Sequence, residues 1–289
     1  MNTILNYCTG MISNPIVEKI KTQLKEKISK LSETHIPSIS PKLCIVSVGK
    51  DDASQVYIKN KIKLCRDLGI DYIHINCHQD IHQSNLIGEI KRLNERRDIH
   101  GIIVQQPLPP HLDTEAIINT IDPRKDVDGF TKGSPFIPAT PKGICTLLKE
   151  YKVETCDRNI VIIGRSDTVG RPLANLLSNK EYNGNVTLLH SKTSWSNIID
   201  HCHKADIIIA CCGVPKFITD EFIGHISPII IDVGIHRIEN NKLCGDVDYN
   251  IVKGLCRGIT PVPGGVGPMT VISLMENTVE AYERIMEEE

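Results

Sequence analysis

Short runs of β-branched and other apolar residues recur along the chain, and stretches with helical periodicity separate them. The runs are LCIVSVG (43–49), DYIHINC (71–77), GIIVQ (101–105), IVII (160–163), NVTLLH (185–190), ADIIIACCG (205–213) and SPIIIDVG (227–234). Near-continuous apolar runs of this length suit strands buried on both faces, the environment of a parallel sheet. Parallel neighbours need a crossover connection, usually a helix, and such crossovers are right-handed. The alternation therefore predicts an α/β fold. With 289 residues the chain is long enough for two modest domains. The Gly/Pro-rich TKGSPFIPATPKG (131–143) reads as a linker between them.

Composition narrows the partners. The formal charge is −2, with 40% hydrophobic and 24% charged residues, which gives no reason to expect a nucleic-acid partner. The eleven cysteines are scattered, odd in number and without a CxxC pair, so reduced thiols are expected rather than disulfides or a zinc site. No apolar run approaches the length of a membrane span. MNTILNYCTGMISNP lacks the basic region of a signal peptide and the arginines of a transit peptide. A cytoplasmic protein with no membrane partner is the expectation.

The most informative stretch is NIVIIGRSDTVGRPLANLL (159–177). Its strand breaks at Gly164, a polar loop follows, and Gly170 and Pro172 open an apolar-periodic segment. Strand, glycine loop and helix is how an α/β protein aims backbone N–H groups and a helix N-terminus at a phosphate. Ser166 stands where the usual fingerprint has its middle glycine, so a plain strand-to-helix turn is the competing reading. The next strand ends His190-Ser191-Lys192-Thr193, without the acidic residue that holds the ribose 2′-hydroxyl of NAD. Together with Arg165, these cationic and hydroxyl groups suit a 2′-phosphate, and NADP is the expected dinucleotide.

A second site is suggested by the helix predicted from Asp52, with Gln55 completing a capping box, to about Leu68. At about 100° per residue, Ala53, Tyr57, Lys61, Leu64 and Leu68 share one face, extended by Ile58, Ile62 and Cys65. Lys59, Lys63, Arg66 and Asp67 lie opposite. Lys61 thus sits mid-stripe on the face that should be buried. It either snorkels to water, or its head lies in a partly dry site where desolvation lowers its pKa toward acid/base use. Tyr57, one turn earlier, is a natural wall for a flat ligand. Gln105 ends a strand, where ligands of open α/β sheets bind. Asp126 and Asp128 in PRKDVDGF lack accompanying metal ligands at suitable spacing, so no metal is expected, and a carboxylate accepting from an amino-heterocycle is the better reading.

The remaining helices are expected at 14–33, 84–95, 112–121, GICTLLKEY (143–151) and from Thr270 to the end, with a hairpin turning at Asn240-Asn241. GITPVPGGVGPMT (258–270) packs four glycines and three prolines into thirteen residues. That density suggests backbone held close to something.

SVGKDDASQVYIKNKIKLCRDLGI, GIIVQQPLPPHL, KDVDGF, PATPKG, GRSDTVGRP, HSKT, IDVGI, GDVDY and ITPVPGGVGPMT follow one another along the chain. In this order they resemble the bifunctional methylenetetrahydrofolate dehydrogenase/methenyltetrahydrofolate cyclohydrolase family over nearly the whole length. The resemblance implies oxidation of 5,10-methylenetetrahydrofolate with hydride passed to NADP, then hydrolysis to 10-formyltetrahydrofolate. It makes Lys61 the catalytic lysine, Tyr57 the ring that stacks on the folate, Gln105 the partner that tunes Lys61, and Asp128 the carboxylate gripping the pterin. It adds Val104, Gln106, Pro263, Gly264, Gly265, Val266 and Gly267 to the substrate site. Gly164, Arg165, Ser166, Ser191 and Ile235 fall on its NADP positions.

Two domains are implied. The first spans 1–140 and is completed by 270–289 packing back. The second, 141–269, is a Rossmann-type NADP domain; the family pattern further implies a cleft between the two and a homodimer. The chain departs from the pattern in the short TKGSPFI (131–137), at Ala139 and Gln106, and at His236, where asparagine is common. Three rivals remain. A short-chain dehydrogenase would share the YxxxK of Tyr57 and Lys61, but its glycine loop precedes that pair. The short 131–137 segment motivates a cyclohydrolase with an impaired dehydrogenase. A non-catalytic folate- or nucleotide-binding protein is the third, and intact Lys61, Gln105 and Asp128 argue against it.

Overall fold

The computed structural model describes residues 8–34, 40–239 and 242–288. In chain order they form β1 (Thr9–Gly10), α1 (Asn14–Thr34), β2 (Lys42–Val48), α2 (Asp52–Leu68), β3 (Asp71–Cys77), α3 (Gln83–Glu95), β4 (Gly101–Val104), α4 (Thr114–Ile118) and α5 (Ala139–Glu150). There follow β5 (Asn159–Ile163), α6 (Gly170–Leu177), β6 (Asn185–Leu189), α7 (Trp195–His203), β7 (Ile207–Ala210), β8 (Ile229–Asp232), β9 (His236–Arg237), β10 (Leu243–Cys244), α8 (Tyr249–Val252), β11 (Gly258–Ile259) and α9 (Val266–Glu288). Among the described residues no helix is long and apolar enough to cross a membrane. The chain divides into two compact units. One holds Glu18–Ala139 and the chain from Val271 on; the other holds the described residues up to Val17 and Thr140–Thr270.

The first unit is built on a parallel three-stranded sheet in the order β3-β2-β4. β2 is buried from Leu43 to Val48 and β4 along all four residues, as their unbroken apolar runs require. The chain passes from β2 to β3 on one side and then to β4 on the other, so the strand order reverses at β2. Ligands of such sheets bind beyond the carboxyl ends at a reversal of this kind, here the exits of β2 and β4. α2 follows the first of these exits. Its N-cap is Asp51, whose side chain accepts from the Ser54 N–H at 2.7 Å. This corrects the capping box placed at Asp52: Asp52 is already the first helical residue. The helix expected over 112–121 shortens to α4, capped by Asp113. Beyond Ile118 the chain tightens into i→i+3 turns, Thr120 N–H to Ile117 and Ile121 N–H to Ile118. Within this unit α9 buries Leu274, Met275, Val279, Ala281 and Tyr282. The Tyr282 ring meets His100 edge-to-face at 4.8 Å.

The second unit carries a parallel six-stranded sheet, β1-β11-β8-β7-β5-β6. The order reverses at β5, which lies between β6 and β7. Thr9–Gly10 supply an edge strand paired with Gly258–Ile259, and Met11 is 2% exposed. The described N-terminal residues therefore group with this unit, where the sequence predicts a single domain over 1–140. Two residues of strand leave no periodicity to detect; pairing with β11 defines them. Residues 139–143, read as linker, begin α5, and α9 opens at Val266, inside the segment read as loop. β9 and β10 pair antiparallel, while the Asn240-Asn241 turn, residues 1–7 and the Ala53 side chain lie outside the described residues.

Candidate active site

α2 presents to the core of its unit the face that the helical spacing groups together: Ile58, Lys61, Leu64, Cys65 and Leu68 are buried, while Lys59, Lys63, Arg66 and Asp67 are exposed. Each of the three aliphatic side chains on that face adds about 1.5–3 kcal/mol by leaving water. This holds the helix, and Lys61 with it, in one orientation. Lys61 is only 9% exposed, so its ammonium does not snorkel freely. Its Nζ donates to Gln105 Oε1 at 3.0 Å. Gln105 Nε2 in turn donates to the Gln106 carbonyl at 2.7 Å, which turns the amide oxygen toward the lysine. The same carbonyl accepts from Ser54 Oγ at 3.4 Å, tying the first turn of α2 to the exit of β4. Val104, 3% exposed, is the last residue of that strand.

Asp128 completes the cluster. Burial lowers the Lys61 pKa below the ordinary lysine value, and the Asp128 carboxylate opposes that shift. Burial pushes Asp128 up to about 6, with Lys61 opposing and Asp126 adding to the rise. An amine and a carboxyl whose pKa values are both drawn toward neutrality is an arrangement suited to proton handling. Tyr57, one turn before Lys61, is half-buried, and burial raises its phenol. Cys65 is pushed up to about 12 by burial, which leaves an inert thiol.

Asp126 has another task. Its carboxylate accepts from the backbone N–H groups of Thr131 (2.6 Å) and Gly129 (3.2 Å), and its carbonyl from Ser134 Oγ (3.1 Å). The short 131–137 segment is thereby folded onto Asp126. From α9, the buried Asn277 donates to the carbonyls of Val127 and Ile137, both at 2.9 Å. Asp126 and Asn277 hold the loop that presents Asp128. Sequence patterning missed both roles, because a buried amide among apolar helix positions is its only trace.

In the second unit the remaining predicted residues gather beyond the carboxyl ends of the parallel strands. Gly164, Arg165 and Ser166 follow β5, Ser191 follows β6, Ile235 follows β8, and Pro263, Gly264 and Gly265 follow β11. Val266 and Gly267 form the first turn of α9. The β5 loop needs its glycines. Gly164 has φ +126°, and a Cβ on Gly170 would lie 1.9 Å from the Gly164 carbonyl oxygen. Only hydrogen at these positions lets strand and helix approach so closely. Ser166 Oγ accepts from the N–H groups of Val169 and Gly170 at 3.2 and 3.4 Å, fixing the loop on the helix start. Arg165 and Lys192 are exposed, and neither side chain has a hydrogen bond or ion pair among the described residues. Uncommitted cations beside a glycine-lined helix start fit a phosphorylated ligand. The 263–267 loop is anchored at Gly264, whose carbonyl accepts from both the N–H and Oγ of Ser13, each at 2.9 Å. Ile235 Cδ1 lies 3.2 Å from where a Cβ on Gly267 would stand.

Comparison with known proteins decides the family. Residues 11–128 match the model of the tetrahydrofolate dehydrogenase/cyclohydrolase catalytic domain, and residues 138–286 that of its NAD(P)-binding domain. The chain belongs to the tetrahydrofolate dehydrogenase/cyclohydrolase family. The Bifunctional protein FolD of Bacillus cytotoxicus is 44% identical over 280 residues, which are 94% of this chain and 95% of the relative. The bifunctional FolD methylenetetrahydrofolate dehydrogenase/cyclohydrolase of Campylobacter jejuni has a similar solved structure (TM-score 0.90, 37% identity, 96% and 99% coverage). So does the Trypanosoma brucei FolD, solved with NADP cofactor and inhibitor (TM-score 0.89, 31% identity, 96% and 98% coverage). The dehydrogenase/cyclohydrolase pattern thus extends through both units, and the β5 loop belongs to an NAD(P)-binding domain rather than to a plain turn.

Proposed function

We infer that this chain oxidises 5,10-methylenetetrahydrofolate to the 5,10-methenyl form with NADP and hydrolyses the product to 10-formyltetrahydrofolate. The observation that carries the catalytic assignment is a buried lysine held by a glutamine that is itself held, Lys61 to Gln105 to the Gln106 carbonyl. In this reading Lys61 hydrogen-bonds the attacking water and the oxygen that gains charge as water adds to the methenyl carbon. Gln105 keeps the Nζ aimed. Asp128 accepts from the amino-pterin edge, and Tyr57 with Val104 and Gln106 forms the wall against which the ring lies. Pro263–Gly267 supply backbone to the substrate. NADP, when bound, supplies the hydride acceptor. Gly164, Arg165, Ser166, Ser191 and Ile235 hold it, which makes hydride transfer a matter of proximity and alignment.

The choice of NADP over NAD is supported by Arg165, Ser191 and Lys192 standing where an NAD site carries an acid. By family resemblance we take the working form to be a cytoplasmic homodimer, and sedimentation checks the oligomeric state. The deciding experiment is a paired spectrophotometric assay of both activities with each nucleotide. We expect both activities, with kcat/KM for NADP at least about tenfold above that for NAD, the effect of about 1.4 kcal/mol of differential binding. Intact methenyl hydrolysis without NADPH formation would instead favour the cyclohydrolase-only reading, motivated by the short 131–137 segment.

A further inference from the structure

Trp195 is the only tryptophan in the chain, and it opens α7 shortly after the carboxyl end of β6. It is 51% exposed. It is nevertheless anchored. Phe217 and Phe222 approach it with ring centroids at 5.8 and 5.3 Å and interplanar angles of 85° and 84°. Phe222 is fully buried, so the indole is seated on the core of its unit. Both phenylalanines meet it nearly at right angles, and neither occupies a stacking position.

The position of this ring in the sheet is informative. In a dinucleotide-binding sheet the pyrophosphate lies at the helix after the first strand, and the adenosine ribose at the end of the second. Here those places are the 164–170 loop and residues 190–193. The base must then lie past the second strand, where the chain runs Ser191, Lys192, Thr193, Ser194, Trp195. On the far side of β5, the exit of β7 offers Val214, 45% exposed. Its carbonyl accepts from the Phe217 N–H at 3.4 Å, which links that exit to the ring under Trp195.

We propose that Trp195 is the adenine platform of this chain, stacking on the base of the bound dinucleotide with Val214 beside it. The proposal rests on the NADP reading above. Stacking needs an open, rigid π-face, and base–aromatic stacking contributes without hydrogen-bond readout. Trp195 would therefore strengthen binding of the adenosine half and leave the hydride-transfer step alone.

The test uses adenosine 2′,5′-bisphosphate, which carries the base and the 2′-phosphate but no nicotinamide. Wild-type protein is titrated while heat and indole emission are followed in parallel; with one tryptophan, the emission reports on Trp195 alone. We expect quenching whose midpoint coincides with that of the heat. W195A should weaken binding about five- to tenfold and W195F, which keeps a ring, about twofold. In the dehydrogenase assay KM for NADP should rise in W195A while kcat holds. Heat without any change of emission, or W195F and a folded W195A both binding within twofold of wild type, would overturn the platform while leaving the NADP reading intact. No heat at all would overturn the NADP reading and the platform with it.

Discussion

Lys61 and Asp128 pull in opposite directions on the same problem, the desolvation of charge. Burial draws the lysine down and the aspartate up to about 6, and each partly offsets the shift of the other. Asp128 binds its proton more tightly in the folded state, about 6 against a starting value of 3.8. Its contribution to stability is therefore full below the unfolded value and is lost as pH rises through about 6. Asp128→Asn, which cannot ionise, should be more stable than wild type at pH 8 by about 3 kcal/mol, with the gain vanishing toward pH 4. Thermal melts across that range check the sign. The same variant should bind folate poorly, and wild-type KM for folate should climb as pH falls through about 6. Lys61→Met keeps the apolar stem and removes the ammonium. It should lose about a hundredfold or more of cyclohydrolase activity while retaining folate binding by calorimetry; full hydrolysis would reduce Lys61 to a structural residue.

Among the elements, the β5–α6 turn has the least tolerance. Its Gly164–Gly170 approach leaves no room for a methyl group, and α6 holds its line through Leu173 and Leu177, both fully buried. Gly170→Ala should force the loop open, lowering stability by about 1–3 kcal/mol. Affinity for adenosine 2′,5′-bisphosphate should fall more than tenfold, read by calorimetry on protein shown to be folded. Wild-type affinity in this variant would mean that the loop does not need its close approach. α2 behaves differently, since its buried stripe is long and regular. That regularity makes its burial pattern readable from the sequence, whereas its cap, Asp51, stands one residue before the position the spacing predicts. Asp51 and Asp52 are chemically equivalent, and only the backbone geometry at the helix start distinguishes them.

At the scale of the whole molecule, residues distant in sequence hold the loop that carries Asp128. Asn277 reaches back 150 positions to Val127 and 140 to Ile137. Asn277→Ala should strand two carbonyls and cost about 2–4 kcal/mol, lowering the thermal midpoint by several degrees. Because the loop presents Asp128, KM for folate should rise more than kcat falls. A variant that melts early yet keeps its KM would separate loop anchoring from folate binding.

Much of the fold is legible in the chain itself. Burial on both faces of a parallel sheet writes unbroken apolar runs, and a half-buried helix writes a stripe, so the central strands β2, β4, β5, β7 and β8 and the buried face of α2 with Lys61 are local patterns. The strand-end residues Gln105 and Ser191 follow from the same rule. Partners are another matter. Neither the bond from Lys61 to Gln105 across 44 positions nor the seating of Trp195 on Phe222 has a period or a spacing. The pairing of Thr9–Gly10 with β11 and the grip of Asp126 on Thr131 likewise leave no such trace. A side chain's hydrogen-bonding capacity is set by its type, but which group satisfies it depends on what chain closure brings near. The sequence alone determined the alternation of elements and the residues to be buried; the tertiary structure decided which buried polar groups meet.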